Sequence, residues 1–250
     1  MKTMKKSMKC LMACFVMVMA FFVTSIAVQA EAVKPAKPTG LGLYGQNGSL
    51  FQLRWNYDDG LPYYGEDGYF GFEILVSTLK GKKIKSVDYN RYSGTNLLGV
   101  EDYTYTKIDA RITNSKMQKQ GFKFKVRSYV HGANGQKLYS DWSKEKVIIP
   151  RPRVNKGSVN RNDEVTVKWN KISGAKSYTV YLSSDNGKSF KKIGTTKKTS
   201  FTTKSLTKYK DYYLYVTANG VKYKKKKYSS TKPVEKTSNL YNFYITVRYK

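Results

Sequence analysis

The chain has 250 residues, with 46 Lys and Arg against 17 Asp and Glu, a net charge of +29, and 22 tyrosines. An apolar share of 40% argues against disorder, 19 glycines are too few for a collagen-like repeat, and one histidine with two cysteines excludes a zinc-rich protein. The length suits one or two domains, each able to bury a core.

The first thirty residues read as an export signal. Lys2, Lys5, Lys6 and Lys9 form a basic start, an unbroken apolar run of 14 residues follows from Cys10 to Val23, and Val28-Gln29-Ala30 supplies small residues for cleavage before Glu31. A membrane span wants about 20 apolar residues, so removal is favoured over anchoring. Leu11-Met12-Ala13-Cys14 resembles a lipobox, but its apolar region follows the cysteine instead of preceding it, which argues against lipidation. Both cysteines leave with this segment, so no thiol chemistry, disulfide or cysteine metal site is expected from residue 31 onward. An exported domain without disulfides points to a bacterial source.

Charge is unevenly shared. Residues 31–150 carry 18 basic and 12 acidic side chains, net +6, whereas residues 151–250 carry 24 and 5, net +19. Between them lies Ile149-Pro150-Arg151-Pro152-Arg153, where two prolines stiffen the backbone and remove amide donors. The expected organisation is therefore a signal peptide over 1–30, a first domain over 31–150 and a strongly basic second domain over 151–250.

The elements expected along both halves are strands. Phe51, Leu53 and Trp55 alternate with polar residues, as do Phe72, Ile74 and Val76, then Phe122, Phe124, Val126 and Ser128. That period of two marks a sheet with one buried face. Lys107 to Gln120 is the nearest approach to a helix, yet Ile108, Ile112 and Met117 are too sparse for a helical stripe. In the second half Val165, Val167 and Trp169 form one inward set, Tyr178, Val180 and Leu182 another, and Tyr212, Leu214, Val216 and Ala218 a third. Asn186-Gly187 is a hairpin signal. Tyr241, Phe243, Ile245, Val247 and Tyr249 alternate with Asn242, Tyr244, Thr246 and Arg248, so residues 240–250 form either the last sandwich strand or an extra edge strand able to pair with another chain.

Short alternating strands with frequent turns predict an all-β chain with a β-sandwich in each half. Trp169 ending an early strand, Tyr178 in the next, then Leu206, Tyr212, Val216 and Ala218 resemble a fibronectin type III module, an immunoglobulin-like sandwich. The resemblance implies that Tyr212 is a tyrosine corner, with its ring in the core and its hydroxyl on nearby backbone. The first half is similar: Pro38 and Leu41 open it, Trp55 takes the second-strand position, and Tyr139-Ser140-Asp141-Trp142-Ser143 resembles the final-strand motif. Phe122 stands where the corner tyrosine would, so that hydroxyl bond is expected to be missing. Such modules serve as spacers, adhesion surfaces and partners of carbohydrate-active domains, so function must be argued from surface residues. No Arg-Gly-Asp tripeptide supports an integrin-type role.

No catalytic residues, metal site or cofactor are expected. His131, the one imidazole, sits in the turn-like run Val130-His131-Gly132-Ala133-Asn134-Gly135, where a solvated hairpin residue is the simpler reading. Asp58-Asp59, Glu66-Asp67 and Glu101-Asp102 raise a glycosidase or a calcium site, but a small sandwich seldom offers the sugar cleft and no EF-hand spacing is present. Gly65, Gly68 and Gly71 lack the basic clamp of a nucleotide loop.

Two surface features remain. Asn56 to Tyr69 is a long loop with Tyr57, Tyr63, Tyr64 and Tyr69 among four acids, suited to protein or sugar contact or to covering the sandwich end. The other is cationic: Lys222-Tyr223-Lys224-Lys225-Lys226-Lys227, which presents lysines on both faces if extended, together with Lys191, Lys192, Lys197 and Lys198 on a neighbouring connection or edge. Lysines also protect sheet edges, but +19 exceeds the magnitude of about 2 to 8 that suffices for the solubility of a small domain. An anionic partner is the expected use. The export signal turns this from intracellular nucleic acid toward an extracellular polymer or cell surface, such as a wall polymer or acidic glycan, and lysine in place of arginine fits point-charge contact. The expectation is a secreted, non-catalytic binding or adhesion protein, held to surfaces by non-covalent contacts and without a transmembrane anchor. The alternative is a spacer or subunit of a larger extracellular assembly, with a protein partner and no polyanion; an enzyme ranks third.

Overall fold

The computed structural model describes residues 34–57, 70–90, 107–131, 135–232 and 243–247. The expected signal peptide lies outside them.

Alternation produces the first sandwich. Strands β1 (Thr39–Asn47), β2 (Leu50–Asn56) and β5 (Lys107–Thr113) form an antiparallel sheet in the order β1-β2-β5. Opposite it, β4 (Lys83–Asn90), β3 (Phe70–Thr78), β6 (Phe122–His131) and β7 (Lys137–Tyr139) lie in that order, and β8 (Lys146–Ile148) pairs with the start of β6. The inward residues of β2, β3 and β6, from Phe51 and Trp55 to Phe72, Ile74, Phe122 and Val126, are buried in one cluster. Phe51 meets Phe122 edge-on at 5.2 Å, and Trp55 meets Phe72 at the same distance.

Lys107 to Gln120 divides in two. Lys107–Thr113 is β5, and helix α1 (Ser115–Lys119) follows, a single turn capped by Asn114, whose Oδ1 accepts from the amides of Lys116 (2.8 Å) and Met117 (3.3 Å). One turn needs no stripe: Met117 is driven into the core, and Gln118 is buried beside it.

The second half repeats the plan. Strands β13 (Ser200–Ser205), β10 (Glu164–Trp169) and β9 (Val154–Val159) make one sheet in that order, and β12 (Lys191–Thr196), β11 (Ser177–Ser183), β14 (Asp211–Asn219) and β17 (Phe243–Thr246) make the other. Between them lie Val165, Val167, Trp169, Tyr178, Val180, Tyr212, Leu214 and Val216. Two tandem immunoglobulin-like, fibronectin type III-like β-sandwiches are thus the architecture. Asn186 and Gly187, with φ of 57° and 79°, turn the chain between β11 and β12 as their sequence predicts. Hydrogen bonds from the hydroxyls of Ser183 and Ser189 and from the Ser189 amide hold the neighbouring Asp185 carboxyl well below its ordinary range. Strand β17 pairs Tyr212 with Ile245 and Leu214 with Phe243, so Phe243–Thr246 joins the second sandwich as a strand beside β14.

Tyr212 is the corner that the resemblance implies. Its buried ring carries a hydroxyl that accepts from the Thr207 amide at 3.0 Å and donates to the Thr207 carbonyl at 3.4 Å. Phe122 fills the equivalent place without a hydroxyl. Replacing Tyr212 with phenylalanine is expected to cost about 0.5 to 1.5 kcal/mol, because the exposed Thr207 amide exchanges the hydroxyl for water; urea unfolding of the two proteins checks it.

The last strand of each sandwich is interrupted, and serines bridge the gap. In the first, the hydroxyls of Ser140 and Ser143 accept from the amides of Ser128 and Val126, both at 3.0 Å. Beside them the Arg127 guanidinium lies 3.6 Å over Tyr139 and 4.6 Å from the Trp142 ring, and pairs with Glu73. The Tyr139–Ser143 motif therefore builds a final strand in both halves of its chemistry, hydroxyls on one side and stacked rings on the other. In the second sandwich Ser230 accepts from the Ala218 amide at 2.8 Å and returns its own amide to the Ala218 carbonyl at 2.8 Å.

The connector, residues 149–153, is clamped on both sides. Gln46 accepts from the Arg151 amide (2.8 Å) and donates to the Arg151 carbonyl (3.0 Å), so a side chain stands in for a strand neighbour. The Arg151 guanidinium is buried, donating to the carbonyls of Gln46 (3.0 Å) and Thr231 (3.5 Å), and burial depresses its pKa to about 10 against a small opposing effect of Tyr215. Ser230 Oγ donates to the Pro150 carbonyl at 2.8 Å, and the Ser173 amide donates to the Lys119 carbonyl at 2.9 Å. Leu79, Val147 and Ile149 join the core of the second sandwich, so the described residues of the two sandwiches form one compact unit.

Candidate polyanion interface

The lysine run does not extend. Strand β15 (Val221–Tyr223) pairs with β16 (Lys226–Tyr228), Tyr223 opposite Lys226, and Lys224-Lys225 is a two-residue turn. The expectation of an extended segment with lysines on both faces is thereby corrected. Gly220, at φ 73°, turns β14 into this hairpin, and the pairing of Val221 with Tyr228 closes it because both rest on the core of the second sandwich. Folding back concentrates charge: Lys222, Lys224, Lys225, Lys226 and Lys227 are all exposed within one short hairpin.

The turn has a backbone penalty. Lys224 adopts φ 52°, where a Cβ is disfavoured by roughly 1 to 2 kcal/mol. Lys224→Gly is expected to raise stability by about 1 kcal/mol while removing one charge, read as a higher urea midpoint with weaker retention on an anionic resin.

Lys191 and Lys192 begin β12, an edge strand, and Lys197 and Lys198 lie in the turn that leads to β13. Register separates the two pairs. Lys191 is opposite Leu182, which faces Leu214, whereas Thr196 is opposite Tyr178, which faces Ala218. Lys197 and Lys198 therefore stand at the end of the sheet where β14 passes into the hairpin, and Lys191 and Lys192 at the far end. All four are exposed. Among the described residues no carboxylate lies within ion-pair distance of any lysine in the hairpin, on β12 or in the turn after it; the ion pairs recorded are on other residues.

The hairpin is also tied to the first sandwich. Tyr223 Oη lies 3.3 Å from Lys123 Nζ and 3.4 Å from Glu145 Oε2, and Lys123 pairs with Glu145 at 2.6 Å. The bond to Glu145 raises the Lys123 pKa, burial opposes it, and the Tyr223 hydroxyl adds to the rise, so Lys123 stays charged.

The aromatic loop divides. Tyr57 is buried and packs edge-on against Phe72 at 4.9 Å, so it belongs to the core of the first sandwich and is corrected as a surface contact. The strand alternation of Phe51, Leu53 and Trp55 runs on to it. Tyr63, Tyr64 and Tyr69, with Asp58-Asp59, Glu66-Asp67 and Glu101-Asp102, lie outside the described residues. His131 ends β6, with its ring 5.5 Å from that of Tyr129. Tyr129 donates to Asp88 at 2.6 Å, and Lys137 pairs with the same carboxylate. Among the described residues no three His, Cys, Asp or Glu side chains gather as a metal site, and no helix is long and apolar enough to cross a membrane.

No protein-family model matches the chain, and no curated protein matches it. Among solved structures the chain is similar to the FN1–FN3 domains of chicken CNTN1, at 15% identity and a TM-score of 0.31, over 75% of this chain and 62% of that one. It is likewise similar to a two-domain fibronectin type III segment of chicken tenascin, at 16% identity and a TM-score of 0.29, over 72% of this chain and 90% of that one. The match thus spans less than two thirds of the CNTN1 segment. The sheet order and the Tyr212 corner, observed in the chain itself, carry the fold.

Proposed function

We propose that this is an exported, non-catalytic bacterial binding protein whose basic second sandwich docks on an extracellular polyanion, a wall polymer or acidic glycan, and holds the protein at a surface without covalent attachment. The supporting observation is the set of exposed lysines at 191, 192, 197, 198, 222 and 224–227, none of which has a carboxylate within ion-pair distance among the described residues. Uncompensated charge at this density repels itself, and an anionic polymer relieves that repulsion while releasing counterions. Binding of the protein to a heparin-like resin and to anionic wall and glycan polymers at several salt concentrations tests the reading. Affinity should fall steeply and linearly on logarithmic axes as salt rises. Passage through the resin in dilute buffer, or association indifferent to salt, overturns it in favour of a spacer or subunit role.

A further inference from the structure

The first sandwich, less basic than the second, carries a cationic cleft of its own. On the outer face of β4, β3 and β6 a cavity of ≈ 150 Å³ is lined by Ser77, Lys83, Lys123, Lys125 and Glu145, among others. Register explains the gathering: Ser77 is opposite Lys83 on one side and Lys123 on the other, and Lys125 follows Lys123 on the same face of β6. Lys123 and Glu145 neutralise each other. Lys83 and Lys125 have no carboxylate within ion-pair distance among the described residues, and Lys125 is held 4.3 Å over the Trp142 ring. The cleft also adjoins the lysine hairpin. Tyr223 touches both Lys123 and Glu145 on the cleft wall, and Lys224 Nζ lies 5.5 Å from the Tyr223 ring. The hairpin thus reaches the cleft wall through Tyr223.

We propose that this cleft seats one tetrahedral ester oxyanion, a phosphodiester or sulfate-ester group, of the same polymer that the Lys222–Lys227 hairpin holds. The inference rests on the polyanion reading and deepens it by naming the anionic group and the place where the first sandwich contributes. Ammonium groups act as point charges and, with a hydroxyl such as that of Ser77, suit an anion offering oxygens in several directions; planar carboxylates are matched by the guanidinium fork. The guanidinium on this face, Arg127, is taken up by Glu73. Space for the group and the two uncompensated ammonium charges are both present without moving the Lys123–Glu145 pair.

Trp142, half-buried beneath Lys125, is a built-in reporter. The test titrates the protein with three oligomers of equal charge at one ionic strength: an abasic deoxyribose-phosphate chain, a sulfated oligosaccharide and an oligogalacturonate. Calorimetry and Trp142 emission are both read. The double variant Lys83→Gln, Lys125→Gln should bind the phosphate or the sulfate oligomer about tenfold more weakly and lose the emission change, while its affinity for the carboxylate oligomer stays within about twofold. Whichever of the first two shows the larger cleft-dependent loss identifies the source of the oxyanion. Unchanged affinity, or an equal loss for all three oligomers, overturns the proposal. Both substitutions lie on a solvated face, and circular dichroism confirms folding. Replacing Lys224–Lys227 separates the two claims: a loss there with none in the cleft variant rejects the cleft alone, and no binding of any oligomer rejects both.

Discussion

Gln46→Leu is expected to destabilise the protein by about 2 to 6 kcal/mol, the largest effect of any single substitution discussed. Gln46 is a β1 side chain that satisfies both the amide and the carbonyl of Arg151, in a place where the chain has left its strands and no neighbour can do so. Leucine keeps the volume but strands two buried backbone groups, each costing about 1 to 3 kcal/mol without a partner. Gln46→Glu should lose less. It preserves the acceptor for the Arg151 amide and strands only the Arg151 carbonyl. Urea unfolding followed by tryptophan emission measures both, and a loss under about 1 kcal/mol for Gln46→Leu would show that water, not Gln46, satisfies the connector.

The second large effect concerns binding. Changing Lys224, Lys225, Lys226 and Lys227 together to glutamine should weaken attachment to an anionic polymer roughly hundredfold to thousandfold at low salt, since each lysine near an anionic surface contributes about 1 kcal/mol. The slope of log affinity against log salt should become shallower by about 3, with 0.7 to 0.9 of a counterion returned per charge removed. Stability should not fall, because these side chains are exposed and unpaired with any described carboxylate, and their mutual repulsion disappears. A steady slope after the change would place the contacts on Lys191, Lys192, Lys197 and Lys198.

Much of the sandwich plan is legible in residues that do one job. Val165, Val167 and Trp169 alternate because one face of β10 is buried, and Tyr212 has both a ring for the core and a hydroxyl for Thr207. Residues with two possible jobs are less legible. Tyr57 could serve surface or core, and only its place beside Phe72 decides. The lysine hairpin carries no Gly or Asn at its turn, so the sequence lacks the signal for positive φ that Asn186-Gly187 displays; packing of Val221 and Tyr228 imposes the turn on Lys224 instead. Helix α1 escapes because a single capped turn has no periodicity to detect. Arg151 stands in the proline connector with no local sign of burial, which depends on Gln46 and Thr231, far away in the chain. The cleft is hidden for the same reason: Lys83, Lys123 and Lys125 become neighbours only when β4, β3 and β6 are in register.

One hydroxyl, that of Ser230, engages both the Ala218 amide and the Pro150 carbonyl, so the last strand of one sandwich and the peptide joining it to the other share an atom. A swivel at that point would have to break the strand first. If one polymer binds both the cleft and the lysine hairpin, as proposed, a joint restrained at Ser230 would favour chains whose charges match the spacing of the two, since the protein then has less joint freedom to lose.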